Sequence, residues 1–238
     1  MRLALLACLL CLGLSAADAP APKFKPLVKH YEQPGQYQGF DYLLYLPASY
    51  EKATDQKWPL VIFLHGSGER GTTLNLVRKN GLPYELDLRG DTRYIAVAPQ
   101  CPANSRWNVE LLDAMLGDLL KNLRVDEKRV IITGLSLGGM GSWEWACAHP
   151  ERFAGVIPVC GGTNPAKTVS LKGMPIWAFH GDKDGAVKIE GHRAAVEAAQ
   201  QNGADVKFTV YPGVGHNSWV KAYAEPELEA WILARGRK

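Results

Sequence analysis

The sequence has little that would mark it for metal, nucleic acid or membrane. Its 238 residues include only five cysteines, and no cysteine–histidine cluster has the spacing of a zinc site. Neither a metal nor any other cofactor is expected. The net charge of +3 is small, and no basic stripe gathers it, so nucleic acid is not an expected partner. Neither the G-x-x-x-x-G-K-[ST] phosphate loop nor the G-x-G-x-x-G dinucleotide fingerprint occurs. Low-complexity tracts and internal repeats are missing too. The longest apolar run, Leu3–Leu14, is short for a bilayer span, so stable membrane insertion is not expected.

That run has another reading. It follows Met1-Arg2 and precedes Ser15-Ala16-Ala17, the order of a charged region, a hydrophobic region and a cleavage site in a secretory leader. Residues 1–17 are expected to be a signal peptide, and residues 18–238 a single catalytic domain in a secreted or periplasmic protein. Cys8 and Cys11 leave with the leader. Cys101, Cys147 and Cys160 remain, an odd number, and are expected to be free thiols. With 47% hydrophobic and 21% charged residues, the chain suits one domain with one sizeable core.

Short apolar runs alternate with helical patterns. Phe40–Leu46, Leu60–Leu64, Tyr94–Ala98, Val130–Ile132, Ala154–Val159, Pro175–Phe179 and Val206–Tyr211 have strand composition, and most are near-continuously apolar. Asn108–Leu123 carries Val109, Leu112, Leu116, Leu119, Leu120 and Leu123 at helical spacing, and Met140–Ala148, Ile189–Asn202 and the stretch from Trp219 also read as helices. The alternation predicts a doubly wound, mostly parallel α/β sheet with helices on both faces. No stretch between these elements is long enough for a lid domain.

Chemistry-bearing residues stand just beyond three of these strands, where open α/β sheets gather their ligands. Arg129–Met140, RVIITGLSLGGM, reads as strand, G-x-S-x-G and helix, the nucleophile elbow of α/β-hydrolases, with Ser136 at its tip. His180-Gly181-Asp182-Lys183-Asp184 follows a second strand and Gly213-Val214-Gly215-His216 a third. A serine hydroxyl is a poor nucleophile until a base takes its proton. His216 can act as that base and then protonate the leaving group. A carboxylate must hold the imidazole in the right tautomer; Asp184 is the choice, with Asp182 as its rival. His65-Gly66-Ser67-Gly68 follows the strand beside the elbow, so backbone N–H groups of Ser67 and Leu137 are the expected oxyanion donors. Trp107 and Trp219 are candidate walls for an acyl or aryl group. Glu69 and Arg70, adjacent in that loop, are expected to pair with each other.

HGSGERG, APQCP, GLSLGGMGSW, HGDKDGAV and GVGHNSW, in this order, resemble the small serine-esterase branch of the α/β-hydrolase superfamily. That branch includes the phospholipase/carboxylesterase and dienelactone-hydrolase-like proteins and the secreted feruloyl and acetylxylan esterases. The resemblance covers roughly Phe40 to the C-terminus. In its H-G-x-x-D-x-x-V pattern the last Asp is the triad acid, which falls on Asp184 with Val187 closing the motif. A dienelactone hydrolase carries Cys as nucleophile, and Ser136 departs from that. The resemblance implies a serine carboxylic-ester hydrolase acting through an acyl-enzyme on short-chain or aromatic esters, small or polysaccharide-linked. A serine peptidase and a catalytically silent binding protein on the same fold are the other readings.

Overall fold

The computed structural model describes residues 24–34 and 39–237. The leader expected at residues 1–17 lies outside the described residues, as do Cys8 and Cys11. In chain order the strands are β1 (Leu27–Glu32), β2 (Gly39–Tyr45), β3 (Trp58–Leu64), β4 (Ile95–Pro99), β5 (Val125–Leu135), β6 (Gly155–Val159), β7 (Pro175–Gly181) and β8 (Asp205–Tyr211). The helices are α1 (Gly81–Arg89), α2 (Val109–Asn122), α3 (Leu137–Ala148), α4 (Ile189–Gln201), α5 (Trp219–Tyr223) and α6 (Leu228–Leu233).

Among the described residues one eight-stranded sheet forms, in the order β1-β2-β4-β3-β5-β6-β7-β8. The β1–β2 and β2–β4 pairs are antiparallel, and every other pair is parallel. Helices cover both faces, which is why β3, β4 and β6 are buried along their whole length. Alternate residues of β3 feed two core layers. Leu60, Ile62 and Leu64 pack with Leu112, Leu116 and Trp143 of α2 and α3. Val61 and Phe63 pack with Leu82, Tyr223 and Ile232 of α1, α5 and α6. On α2 the inward row is Leu111, Leu112, Met115, Leu116 and Leu119, and Asn108 caps the helix by accepting from Leu111 N–H at 3.1 Å.

Four elements differ from the sequence reading, among them helix α1, which no sustained apolar stripe marks. Strand β1, LVKHYE, is exposed at all but Tyr31, so an edge strand lies where no apolar run marks one. Strand β5 starts early at Val125 and carries Asp126–Arg129 before its buried half, across from a register shift in β3. The C-terminal helix is two short helices, α5 and α6, separated by Ala224–Glu227 with Pro226 inside the break.

The order sets the site. From β3 the chain crosses to β4 on one side, whereas from β5 it crosses to β6 on the other. The connections therefore diverge between the carboxyl ends of β3 and β5, and a crevice opens there.

Candidate active site

Ser136 sits where β5 gives way to α3, at φ 52° and ψ −113°. A non-glycine residue held there stores roughly 1–3 kcal/mol of strain, which the surroundings must impose. They do so by close packing. A Cβ on Gly134 would lie 2.4 Å from the Gly138 carbonyl oxygen, and one on Gly138 would lie 1.8 Å from that of Leu64. Only glycine lets helix α3 start this close to β3. Ser136 N–H donates to Val159 O at 2.9 Å, tying the turn to β6.

His216 reaches this serine from the loop after β8. Its Nε2 lies 3.0 Å from Ser136 Oγ, and its Nδ1 lies 2.8 Å from Asp184 Oδ2. Asp184 Oδ1 accepts the N–H groups of Ala186 and Val187, each at 2.9 Å. Burial by itself raises the Asp184 carboxyl; hydrogen bonds from His216, Val187 and Ala186 outweigh it and hold the group below its ordinary value. The exposed Asp182 turns away from this contact. Its Oδ1 accepts Gly213 N–H at 2.7 Å, stapling the loop after β7 to the loop that carries His216. Of the two rival acids, the fold brings Asp184 to the histidine.

On the β3 side, Gly66 lies against the serine: a Cβ there would be 3.6 Å from Ser136 Cβ. Ser67 opens a short 3-10 turn, Ser67–Glu69. Leu137 is the first residue of α3, and the first amides of a helix have no intrahelical acceptor, so its N–H is free for an oxyanion. His65 underpins this loop. Its Nδ1–H donates to Gly66 O at 2.6 Å, while its Nε2 accepts Cys101 N–H at 2.9 Å. The expected Glu69–Arg70 pair does not form. Arg70 donates instead to the carbonyls of Ser67 and Ser105, at 3.0 Å each, and Glu69 accepts from Asn80 at 2.7 Å. Both side chains thus brace the loop.

The two tryptophans part company. Trp107 lines a cavity of about 600 Å³ beside the Ser136 turn, together with Val109, Leu137, Met140, Val187 and Lys188. Its Nε1–H donates to His65 O at 3.3 Å. Trp219 is not part of that lining. It stands edge-on to His216, with ring centres 5.3 Å apart, and donates to Asn80 Oδ1 at 3.3 Å. Asn80 had no signal in the sequence, because its role depends on contacts with residues distant along the chain.

Cys101, Cys147 and Cys160 carry no disulfide. Cys160 lies beneath the site, and one ligand atom each from Cys160, Asp184 and His216 falls within 4.8 Å of the others. Burial pushes the Cys160 thiol up to about 12, and the facing Asp184 and His216 atoms already bond each other. The set suits proton chemistry better than an ion.

Burial pushes His65 down to about 4 from an ordinary value of 6.5. Unfolding frees the ring to take a proton below about pH 6.5, whereas the folded ring resists protonation until near pH 4. Stability is therefore full above pH 6.5 and lost as the pH falls towards 4, by up to about 3 kcal/mol from His65 alone. Urea unfolding should show a clearly lower midpoint at pH 4.5 than at pH 7.5. Equal midpoints would contradict this account.

Comparison with known proteins follows the same line. The profile of the phospholipase/carboxylesterase family matches residues 100–225, a span that contains Ser136, Asp184 and His216. An Aspergillus terreus protein named "Probable feruloyl esterase C" is 27% identical over 192 residues, covering 77% of this chain and 69% of its own. A solved structure of a thermostable esterase superposes with a TM-score of 0.81 at 33% identity, covering 89% of this chain. This chain spans 63% of that esterase, less than two thirds of its length. A ferulic acid esterase structure, 19% identical with a TM-score of 0.68, shares the fold over 87% of this chain and 98% of its own. Among the described residues no helix is long and apolar enough to cross a membrane.

Proposed function

The chain belongs to the phospholipase/carboxylesterase family, carboxylic ester hydrolases of the α/β-hydrolase fold, and from that premise we propose that it cleaves short-chain and aromatic acyl esters through an acyl-enzyme on Ser136. The observation that carries this reading is the unbroken contact from Ser136 Oγ through His216 to Asp184, at 3.0 and 2.8 Å.

The roles follow from the atoms. His216 Nδ1–H is committed to Asp184, so its Nε2 is the lone pair that faces Ser136 Oγ–H. As Oγ attacks the ester carbonyl, its proton passes to Nε2, and Asp184 steadies the imidazolium that forms. The carbonyl oxygen becomes an oxyanion and accepts the N–H groups of Leu137 and Ser67. His216 then gives its proton to the departing alkoxide. Water then attacks the acyl carbon as it loses a proton to the same Nε2; the bond from the acyl carbon to Oγ breaks, Nε2 returns that proton to Oγ, and the acid leaves. An alkoxide departs readily, whereas an amide nitrogen must be protonated in place and the peptide gripped on both sides. The reading therefore favours esters over amides.

The cavity walled by Trp107 accepts a flat or small acyl group beside the serine. The A. terreus relative's name adds the hydroxycinnamate class. With purified protein, kcat/KM for p-nitrophenyl acetate and methyl ferulate should exceed those for p-nitrophenyl palmitate and a peptide anilide by about tenfold or more. If the anilide leads, the peptidase reading takes its place; if the palmitate leads, the acyl-group assignment is wrong. A protein inert to all four and to a fluorophosphonate label would be a silent binder on this fold.

A further inference from the structure

Behind the acid of the triad lies a row of buried polar rings that takes no part in the steps above. His180, near the end of β7, places Nε2 2.9 Å from Val187 O and 3.2 Å from Asp184 Oδ2. Its other nitrogen, Nδ1, lies 2.8 Å from Nδ1 of His192 on α4. His192 Nε2 in turn lies 3.3 Å from Nε1 of Trp143 on α3. All three rings are fully buried.

We propose that Trp143, His192 and His180 form a one-way hydrogen-bond row that fixes how the triad acid Asp184 is held, which makes the two histidines positioning residues for the reaction.

The direction follows from one group. An indole Nε1 carries a hydrogen and can only donate. His192 Nε2 must therefore be an acceptor. Burial holds the His192 ring well below its ordinary value, and burial also lowers His180 against the pull of Val187 O and Asp184. Each ring is therefore neutral at pH 7 and carries one proton. With Nε2 accepting, the His192 proton sits on Nδ1 and points at His180. His180 Nδ1 must then accept, and its own proton sits on Nε2, aimed at Val187 O and Asp184 Oδ2. Reversing His180 would set two hydrogens face to face at the His180–His192 contact and turn a lone pair towards the carboxylate, whereas reversing His192 would set its Nε2–H against the indole N–H and leave two lone pairs facing each other at the Nδ1 atoms. Asp184 Oδ2 thus receives one N–H from His216 and a second, longer approach from His180, while Oδ1 receives two backbone amides. Every side of the carboxylate faces a donor, which leaves it one orientation.

The charged and titratable groups around the row are few. Asp184 and His216 stand at its His180 end from the loops after β7 and β8, with the protonated Cys160 thiol against those two groups rather than against the row. Glu144 on α3 is turned to Thr163 and Lys167, and Arg193 on α4 lies over the Phe208 ring. None of these supplies an alternative donor to His180 Nδ1.

The proposal rests on the triad reading for its effect on rate, but the proton positions can be measured without activity. In the wild-type protein labelled with nitrogen-15 histidine, the nitrogen spectrum between pH 6.5 and 8 should show His192 protonated on Nδ1 and His180 on Nε2. The opposite tautomer for either ring, or a charged ring, overturns the row. For the effect on catalysis, His192→Leu removes the donor to His180, whereas His192→Asn restores an N–H near the Nδ1 position. His192→Leu should lower kcat about tenfold at nearly unchanged KM, the effect of one lost hydrogen bond. The acid limb of its kcat/KM profile should move up by about half a pH unit, because a His180 ring no longer held at Nδ1 aims its Nε2–H less squarely at Asp184, and a carboxylate with a weakened donor holds a neighbouring proton more strongly. His192→Asn should recover most of both changes. Trp143→Phe, which removes the indole donor but keeps a ring, should mix the tautomers of His192 and shift the limb in the same direction. Equal losses in Leu and Asn variants with an unmoved acid limb mean that His192 only fills space, and the positioning role fails. If His192→Leu does not fold, the wild-type spectrum and Trp143→Phe decide the matter. An active Ser136→Ala protein sinks the triad reading instead, and leaves the tautomer result standing.

Discussion

Ser136→Ala should leave a folded protein whose ester hydrolysis has fallen by about 10⁶-fold in kcat, the scale seen when a triad nucleophile is removed. The residual rate, roughly 10³-fold over water, would come from the oxyanion donors and from binding. The fold should survive because Ser136 Oγ makes one side-chain contact, to His216, and its loss unsatisfies no buried backbone group. The strain at φ 52° remains, since alanine keeps the Cβ that makes this conformation costly. Thermal unfolding should thus shift little while activity collapses. A fluorophosphonate should label Ser136 in the wild type and nothing in the variant, read by mass spectrometry of the digested protein. An adduct on another residue, or a variant that retains activity, removes Ser136 from the centre of the mechanism.

How far such a site can be read from sequence depends on how its parts are held. Strands β3, β4 and β6 are buried on both faces, so continuous apolar runs mark them in the sequence. Ser136, Asp184 and His216 lie at or just beyond strand ends, where chain order and motif spacing are informative. Strand β1 escapes that reading because five of its six residues are exposed, and its pairing with β2 is a backbone matter. Helix α1 escapes because GLPYELDLR carries a glycine and a proline in its first turn and no sustained apolar stripe. The parts least legible are those made by packing. Nothing in the spacing of Trp143, His180 and His192 announces that three rings on α3, β7 and α4 meet. Nor does the spacing separate Trp107, in the cavity wall, from Trp219, which backs His216. Composition marks tryptophan as a large apolar ring with one donor; tertiary contacts decide which wall it joins.

The choice between the two acids of the loop after β7 is where the geometry makes its sharpest demand. Asp184→Asn should lower kcat by about 10⁴-fold with KM little changed, while Asp182→Asn should cost less than about fivefold. The asymmetry comes from counting donors. Asp184 faces N–H groups on both oxygens: Ala186 and Val187 on Oδ1, and His216 with the longer approach of His180 on Oδ2. An asparagine has one oxygen and one NH₂. With its oxygen towards the two backbone amides, its NH₂ faces His216 Nδ1 and can only donate. His216 must then move its proton to Nε2, and the ring presents N–H rather than a lone pair to Ser136 Oγ. The base is lost although every atom stays near its place. Turning the amide over would set its NH₂ against two backbone donors that cannot move, so the first orientation prevails. At Asp182, by contrast, the one contact is Gly213 N–H to Oδ1, and an asparagine oxygen accepts it equally well. Nitrogen spectra of the Asp184→Asn protein should show the His216 proton on Nε2, where the wild type carries it on Nδ1. Should Asp182→Asn prove the more damaging, or should Asp184→Asn keep the wild-type tautomer and rate, Asp184 is not the acid that orients His216.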